Sequence, residues 1–216
     1  MKKNIFNGPQ LCISIAKRPG LYGTTIHNAG YQALGLNFFY KAFGTNDLEG
    51  AIHGVRALGI RGCSVSMPFK EKVIPLLDEL DILAKKSQAV NTIVNENGHL
   101  IGYNTDVIGI KQCLQPLKIK KNKKLLLLGS GGISRAFLVA LRNLKLNDIT
   151  ISNRTLKKSQ TLAKEFDTHF IKWSERNNFN ADMIINATSV GMSPSDNLMP
   201  ISKNQIMNTE ILMDVV

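Results

Sequence analysis

Leu125-Leu126-Leu127-Leu128-Gly129-Ser130-Gly131-Gly132-Ile133-Ser134 is the stretch on which the fold turns. Four consecutive leucines predict an apolar strand, and the glycine-rich turn after them predicts the phosphate-binding corner of a dinucleotide fold. In such a corner the first glycine makes the tight turn and the second lets a pyrophosphate approach the backbone. The following helix supplies unpaired N–H groups and a partial positive charge. Gly129 and Gly131 fit the two glycine roles. Ser134 stands at the third position of G-x-G-x-x-G, so the motif is degenerate and rests on its context of strand before and helix, to about Leu144, after.

Toward the C-terminus, a strand at Asp148 to Ser152 and a helix from Leu156 to Phe166 complete a βαβ unit. Apolar runs at Met183 to Ala187 and Ile211 to Val216 would extend the same sheet. About 20 residues past the glycines, an NAD site usually presents a carboxylate to the ribose 2′-hydroxyl, whereas an NADP site presents a cation to the 2′-phosphate. Here stands Ser152-Asn153-Arg154-Thr155, with no carboxylate and with Lys157 and Lys158 beside Arg154. Asn153 and Thr155 add phosphate hydrogen-bond donors, so NADP is the predicted cofactor.

Toward the N-terminus, strands and helices alternate, which implies a largely parallel sheet. Leu11 to Ile15 and Phe38 to Phe43 read as strands, Thr25 to Leu34 and Asp47 to Leu58 as helices, and Gly62 to Met67 as a strand stopped by Pro68. Proline suits the first turn of a new helix, predicted to reach Lys86. Val90 to Val94 and Leu100 to Tyr103 flank Asn97-Gly98, a hairpin signal. Thr105 and Asp106 then cap a helix to about Leu117, and Lys118 to Lys124 reads as a solvated linker. The fold class is α/β: a substrate-binding domain over residues 1–105 with a mainly parallel sheet, then a linker helix and a Rossmann-type doubly wound nucleotide domain over 106–216.

The whole chain bounds its class of function. Its 216 residues are 44% hydrophobic and 20% charged, as in ordinary globular proteins. After Lys2 and Lys3 no apolar run is long enough for a signal or a membrane span, which predicts a cytoplasmic protein and no membrane partner. Cys12, Cys63 and Cys113 are odd in number and widely spaced, so neither disulfides nor a metal site are expected; they read as reduced, mostly buried thiols. The net charge of +11 admits a nucleic acid, an anionic surface or a phosphorylated ligand. The Lys118 to Lys124 run lacks aromatic residues for base stacking, which argues against nucleic acid.

Oxidising a secondary alcohol needs a group that takes the hydroxyl proton as hydride leaves and returns it in reverse. His27, His53, His99 and His169 share no spacing, while Lys70 and Asp106 both fall just past predicted strands. Ser66-Met-Pro-Phe-Lys70, Ala89-Val-Asn-Thr92, Asn104-Thr-Asp106, Gly129-Ser-Gly-Gly132, Asn153-Arg-Thr155 and Asn186-Ala-Thr-Ser-Val-Gly-Met192 together resemble the shikimate dehydrogenase family. Six motifs in order run from Ser66 to Met192. The resemblance implies a cytoplasmic NADP-dependent oxidoreductase that reversibly reduces 3-dehydroshikimate to shikimate, a step of aromatic amino acid and chorismate biosynthesis, in the cleft between two domains.

It further implies Lys70 and Asp106 as the catalytic pair, with an ion pair orienting Lys70, and Ser66, Asn91 and Asp106 on the ring of a small cyclic polyol acid. Cofactor contacts are implied at Gly129, Ser130, Gly131, Gly132, Ile133, Asn153, Arg154, Thr155, Lys158, Thr188 and Ser189, in a monomer or homodimer. The family's usual Ser-x-Ser-Pro before Ile-His-Asn, which grips the substrate carboxylate, is altered: Ile26-His27-Asn28 follows Ser14-Ile15-Ala16 and a longer loop, as in the divergent shikimate-dehydrogenase-like branch. Ser14 keeps one role, Ala16 cannot hydrogen-bond, and Thr24 or Tyr22 is the candidate replacement. Members of the family also continue past the strand matching Ile211 to Val216 into a helix with a substrate-binding glutamine. These departures leave quinate or another cyclic polyol, and a nucleotide-binding regulatory module with little turnover, as alternatives.

Overall fold

The computed structural model describes residues 8–193 and 196–215. The chain divides into two compact units, the first ending at Thr105 and the second beginning at Asp106.

In the first unit the order is β1 (Gln10–Ala16), α1 (Tyr22–Ala33), β2 (Phe38–Gly44), α2 (Leu48–Ala57), β3 (Gly62–Val65), β4 (Glu79–Leu80), α3 (Ile82–Ser87), β5 (Thr92–Glu96) and β6 (His99–Tyr103). The strands form one sheet in the order β2-β1-β3-β5-β6-β4. The β2–β1, β1–β3 and β4–β6 pairs are parallel, while β5 runs antiparallel to both β3 and β6. The sheet is therefore mixed, because the tight turn at Asn97 (φ 55°) and Gly98 (φ 96°) joins β5 to β6 as a hairpin. One face buries Ile13, Ile15, Cys63, Val65, Ile93 and Leu100 against Ile52 and Val55 of α2. Period-two alternation sends Ser14 and Ser64 to the opposite face.

Helix α1 has no buried residue. It lies along the open edge of β2, where the Asn28 carboxamide donates to the Tyr40 carbonyl (2.9 Å) and accepts the Tyr40 N–H (2.8 Å). Two residues along the strand, Thr24 Oγ1 accepts the Ala42 N–H (3.2 Å). Side chains thus take up strand hydrogen bonds that an exposed edge would offer to another chain.

The helix expected from Pro68 to Lys86 is absent. The Met67–Pro68 peptide is cis, turns carry the chain to a single 3₁₀ turn at Ile74–Leu76, and β4 and the short α3 follow. Pro75 has no N–H for the i→i−4 ladder, and Asp81 starts α3 afresh by accepting the Leu83 and Ala84 N–H groups.

The second unit holds α4, which begins at the boundary (Thr105–Leu114), β7 (Leu125–Leu128), α5 (Gly132–Asn143), β8 (Ile149–Asn153), α6 (Leu156–Glu165), β9 (His169–Lys172), β10 (Met183–Asn186), α7 (Lys203–Met207) and β11 (Ile211–Asp214). Its sheet is wholly parallel in the order β11-β10-β7-β8-β9, with the glycine-bearing strand at the centre. This is the doubly wound Rossmann-type order, and all four leucines of β7 are fully buried. Val216, expected to end the last strand, and Lys2 and Lys3 lie outside the described residues.

Three further expectations are corrected. Thr105 and Asp106 occupy the first turn of α4 rather than capping it, and the α-helix stops at Leu114, before Pro116. The lysine-rich segment is not merely solvated: Lys123 Nζ pairs with Asp182 (3.0 Å) and Glu210 (2.6 Å), fastening it to the start of β10 and β11. Of the thiols only Cys63 is buried, Cys12 being half-buried and Cys113 exposed. Burial, with Cys12 nearby, pushes the Cys63 thiol up to about 12.

Candidate active site

Of the expected substrate residues, Ser14, Ser66 and Asn91 collect at one edge of the first sheet, where β1 and β3 end, for a topological reason. β1 and β3 are parallel and end together, β5 starts where β3 ends, and β6 returns to the same place. Registered positions Ser14, Ser64, Thr92 and Tyr103 therefore run in a row across four strands just inside that edge. The segments carrying Ser66, Lys70, Asn91 and Thr105 emerge from it.

Backbone hydrogen bonds fix those segments to one another. The Ser66 N–H donates to the Ile15 carbonyl (2.9 Å), the Val65 N–H to the Asn91 carbonyl (2.7 Å), the Asn91 N–H to the Tyr103 carbonyl (3.0 Å) and the Val90 N–H to the Lys70 carbonyl (2.8 Å). Lys70 sits in a tight turn, not on a helix, anchored by buried Phe69 and Val73. Its side chain is half-buried, as are Asp106, Asn91 and Ser14, while Ser66 is exposed.

Asn91 has a second duty that its motif does not announce. Its Oδ1 accepts the Thr105 N–H (2.9 Å) and the Thr92 hydroxyl (3.0 Å), and its Nδ2 donates to Thr105 Oγ1 (2.9 Å). The carboxamide oxygen thus satisfies a first-turn N–H of α4, the turn that carries Asp106. Thr24, expected as a substitute serine, has its hydroxyl at the β2 edge, and Tyr22 is 85% exposed at the start of α1. Ala16 is buried.

In the second unit three loops meet at the C-terminal ends of β7, β8 and β10. The Gly129 N–H donates to the Ser152 carbonyl (2.9 Å), and the Ala187 N–H to the Leu128 carbonyl (2.8 Å). Gly129 has φ +110°, and a Cβ placed on it would lie 2.6 Å from the Ala187 carbonyl oxygen. A Cβ on Gly131 would meet nothing within 4 Å, so this backbone is open to a ligand. Gly132 opens α5, whose first-turn N–H groups, those of Gly132 and Ile133 among them, point toward the same corner. Ser130 and Ile133 are half-buried.

Arg154, Thr155 and Lys158 are exposed just past β8. Thr155 is at the N-cap position of α6 but makes no side-chain cap bond, whereas the Asn153 amide already donates to the Thr155 carbonyl (3.1 Å). Thr188 is tied down: its hydroxyl donates to Asn186 Oδ1 (2.7 Å) and accepts the Val190 N–H (3.0 Å), while Ser189 is exposed. Buried Asn186, which bonds Thr188 and the Val190 carbonyl, is a structural support of this corner that sequence reasoning gave no separate role. Among the described residues no cluster of His, Cys, Asp and Glu is arranged to hold a metal, and no helix is long and apolar enough to cross a membrane.

Comparison with known proteins gives the same division. Residues 23–93 match the shikimate dehydrogenase substrate binding domain, and residues 112–214 match the shikimate/quinate 5-dehydrogenase family. A shikimate dehydrogenase-like protein of Haemophilus influenzae is 46% identical over 209 residues, covering 96% of this chain and 76% of that protein. A shikimate dehydrogenase (NADP(+)) of Methanococcus maripaludis is 40% identical over 208 residues, covering 90% and 73%. Among solved structures, a shikimate 5-dehydrogenase-like protein superposes with a TM-score of 0.84 at 44% identity, over 98% of this chain and 79% of that one. The Thermus thermophilus shikimate 5-dehydrogenase in complex with NADP(H) and shikimate gives 0.82 at 29%, over 96% and 79%. With both halves matched in order and the identity sustained along the chain, this protein belongs to the shikimate dehydrogenase family.

Proposed function

We propose that this protein is an NADP-dependent oxidoreductase that interconverts 3-dehydroshikimate and shikimate, a cytoplasmic step of chorismate and aromatic amino acid biosynthesis, as a monomer or homodimer. In this reading residues 1–105 bind substrate and 106–216 bind the cofactor. The observation that carries it is the convergence of Ser66, Lys70, Asn91 and Thr105 on one edge of the first sheet through short backbone hydrogen bonds.

The residues present fit NADP: an open Gly131, the start of α5 for the pyrophosphate, and exposed Arg154, Thr155 and Lys158 for the 2′-phosphate. When bound, the cofactor supplies or accepts the hydride. Lys70 gives a proton to the carbonyl oxygen being reduced and takes it back in reverse, while Ser66 and Asn91 Nδ2 hold ring hydroxyls and Ser14 the carboxylate. Asp106 is the other member of the catalytic pair and holds the ring.

A second reading, quinate or another cyclic polyol as substrate, is favoured by one feature. Ala16 replaces a serine, and the Thr24 hydroxyl is engaged at the β2 edge, so carboxylate recognition differs from the usual pattern.

The test is steady-state turnover on a panel of shikimate, quinate and related polyols, followed by NADPH absorbance, with a Lys70→Ala variant alongside. Turnover with shikimate and a fall of ~10²- to 10⁴-fold in kcat for Lys70→Ala, with a smaller change in KM, is the expected result. Tight NADPH binding with no turnover on the panel would leave a nucleotide-binding module instead. A folded Lys70→Ala protein with near-normal kcat would remove the lysine from the chemistry.

A further inference from the structure

We infer that Asn104 is a positioning residue: its buried carboxamide locks the Ala89–Asn91 segment, and through it Lys70 and Asn91, to the start of α4. The inference rests on the oxidoreductase reading above and adds to it a residue that touches neither substrate nor cofactor.

Asn104 is 1% exposed, in the short connection between β6 and α4. Its Nδ2 donates two hydrogen bonds, to the Ala89 carbonyl (2.9 Å) and to Ser87 Oγ (2.9 Å). Ser87 is fully buried at the end of α3 and donates in turn to the Leu83 carbonyl (2.8 Å). Between them Gln88 takes a left-handed conformation (φ 49°), so the chain reverses there and leaves the Ala89 carbonyl pointing inward. Ala89 and Val90 are fully buried as well, so water is excluded, and the Ala89 carbonyl is satisfied by Asn104 Nδ2 together with Ser87 Oγ (3.1 Å), a hydroxyl that Asn104 itself holds.

The segment so held is the one the site depends on. The Val90 N–H fixes the Lys70 carbonyl, and the Asn91 carboxamide takes the Thr105 N–H. Asn104 and Asn91 thus form two rungs between the same pair of segments: residue 104 to Ala89, and Thr105 to Asn91. Removing the Asn104 rung leaves the Ala89 carbonyl, two residues from Asn91 and one from the group that fixes Lys70, held by Ser87 Oγ alone, a hydroxyl that has then lost its own donor from Asn104. A displacement of about 1 Å at a reacting group costs roughly a hundred-fold in rate. No substrate-contacting side chain is removed, and Asn91 keeps its own bonds to Thr105, so kcat falls more than KM rises.

The experiment compares wild type, Asn104→Ala and the isosteric Asn104→Asp, scaling rates to the folded fraction by circular dichroism. We expect kcat per folded molecule to fall about ten- to a hundred-fold in both variants, with KM for 3-dehydroshikimate within about three-fold and NADPH affinity unchanged. Aspartate lacks the two N–H donors but can donate once when protonated, and burial raises its pKa. The ratio of Asn104→Asp to wild-type activity should therefore rise as pH falls, which a purely structural loss would not produce. A folded variant with kcat within two-fold of wild type, or a flat ratio across pH, overturns the inference. If wild type shows no turnover, the functional reading fails separately, and the clamp is judged by amide hydrogen exchange. Val90 and Thr105 should then exchange at least ten-fold faster in Asn104→Asp than in wild type, and equal rates would overturn it.

Discussion

At Gly129 one missing side-chain atom serves fold and site together. Its φ of +110° is a conformation that other residues adopt only under strain, and an added Cβ would press on the Ala187 carbonyl at 2.6 Å. Gly129→Ala should cost about 1–3 kcal/mol from the backbone alone. It should also displace the strand end that leads into Thr188, so NADPH affinity should fall as well. Thermal unfolding with an NADPH fluorescence titration checks both; an alanine variant unchanged in either would mean the loop relaxes freely. Arg154 makes a narrower prediction. Exposed past β8, it has no part in the core, so Arg154→Ala should leave the melting temperature in place while weakening NADP about ten- to a hundred-fold and NAD hardly at all, as a charge-assisted bond of about 1.5–3 kcal/mol to the 2′-phosphate requires. Equal losses for both cofactors would assign it a structural role. The sequence singles out Gly129 and Arg154 because a dinucleotide site calls for those residue types at those spacings. It does not single out the engaged groups: the Thr24 hydroxyl is bound to Ala42 and the Asn91 oxygen to Thr105, pairings across 18 and 14 residues that no local pattern encodes.

α1 is the element whose role the sequence least discloses. Its pattern reads as a helix, and it is one, yet it buries no residue and holds β2 through side chains laid against the strand: Asn28 and Thr24 by hydrogen bonds, His27 and Tyr31 by ring contacts with Tyr40 and Phe38. Asn28→Ala should leave the Tyr40 N–H and carbonyl without partners at the edge of β2. With Tyr40 itself 4% exposed, a loss of about 1–3 kcal/mol is expected in urea unfolding. The freed edge, flanked by half-exposed Phe39 and Phe43, should also raise light scattering at high protein concentration. An Asn28→Ala protein as stable and as monodisperse as wild type would show that the edge needs no cover. Most strands were legible because their apolar runs are bounded by glycine, proline or polar turns. The region from Pro68 to Lys86 misled, since its apolar residues are spaced as in a helix while Pro75 and the capping Asp81 divide it into pieces too short to show a period. β9 and α7 went unread for the same reason: His169–Lys172 is mostly exposed, and Lys203–Met207 is barely more than one turn.

In each unit a carboxylate with a lowered pKa fastens distant segments, and both contribute to acid stability. In the first unit Asp78 pairs with Arg56 (2.6 Å) and accepts the Leu100 N–H (2.7 Å), and these hold its carboxyl below the usual aspartate range. In the second, Asp182 accepts the Lys124 N–H (2.7 Å) and pairs with Lys123, with the same effect. A depressed carboxylate pKa contributes stability that is fully present above the unfolded value, roughly pH 4, and is lost as pH falls through the folded value. Lys123 is shifted the other way, raised mainly by its bond to Glu210 and then by Asp182. Its contribution is present at neutral pH and lost only as pH rises past the ordinary lysine range, roughly 10.4. Stability should therefore be level through the neutral range and fall on the acid side below about pH 4. A net charge of +11 adds general repulsion on that side, so the acid limb of wild type alone does not identify the cause. The difference between wild type and variant does. Asp182→Asn cannot ionise: it should be less stable than wild type at pH 7, and the two urea-unfolding curves should converge as pH falls below about 4, where the wild-type carboxylate is itself neutralised. Asp78→Asn should behave alike, and because the two sites lie in different compact units their effects should add. A constant gap between wild type and Asp182→Asn from pH 7 down to 2 would show that packing, and not the ionised carboxylate, accounts for the loss.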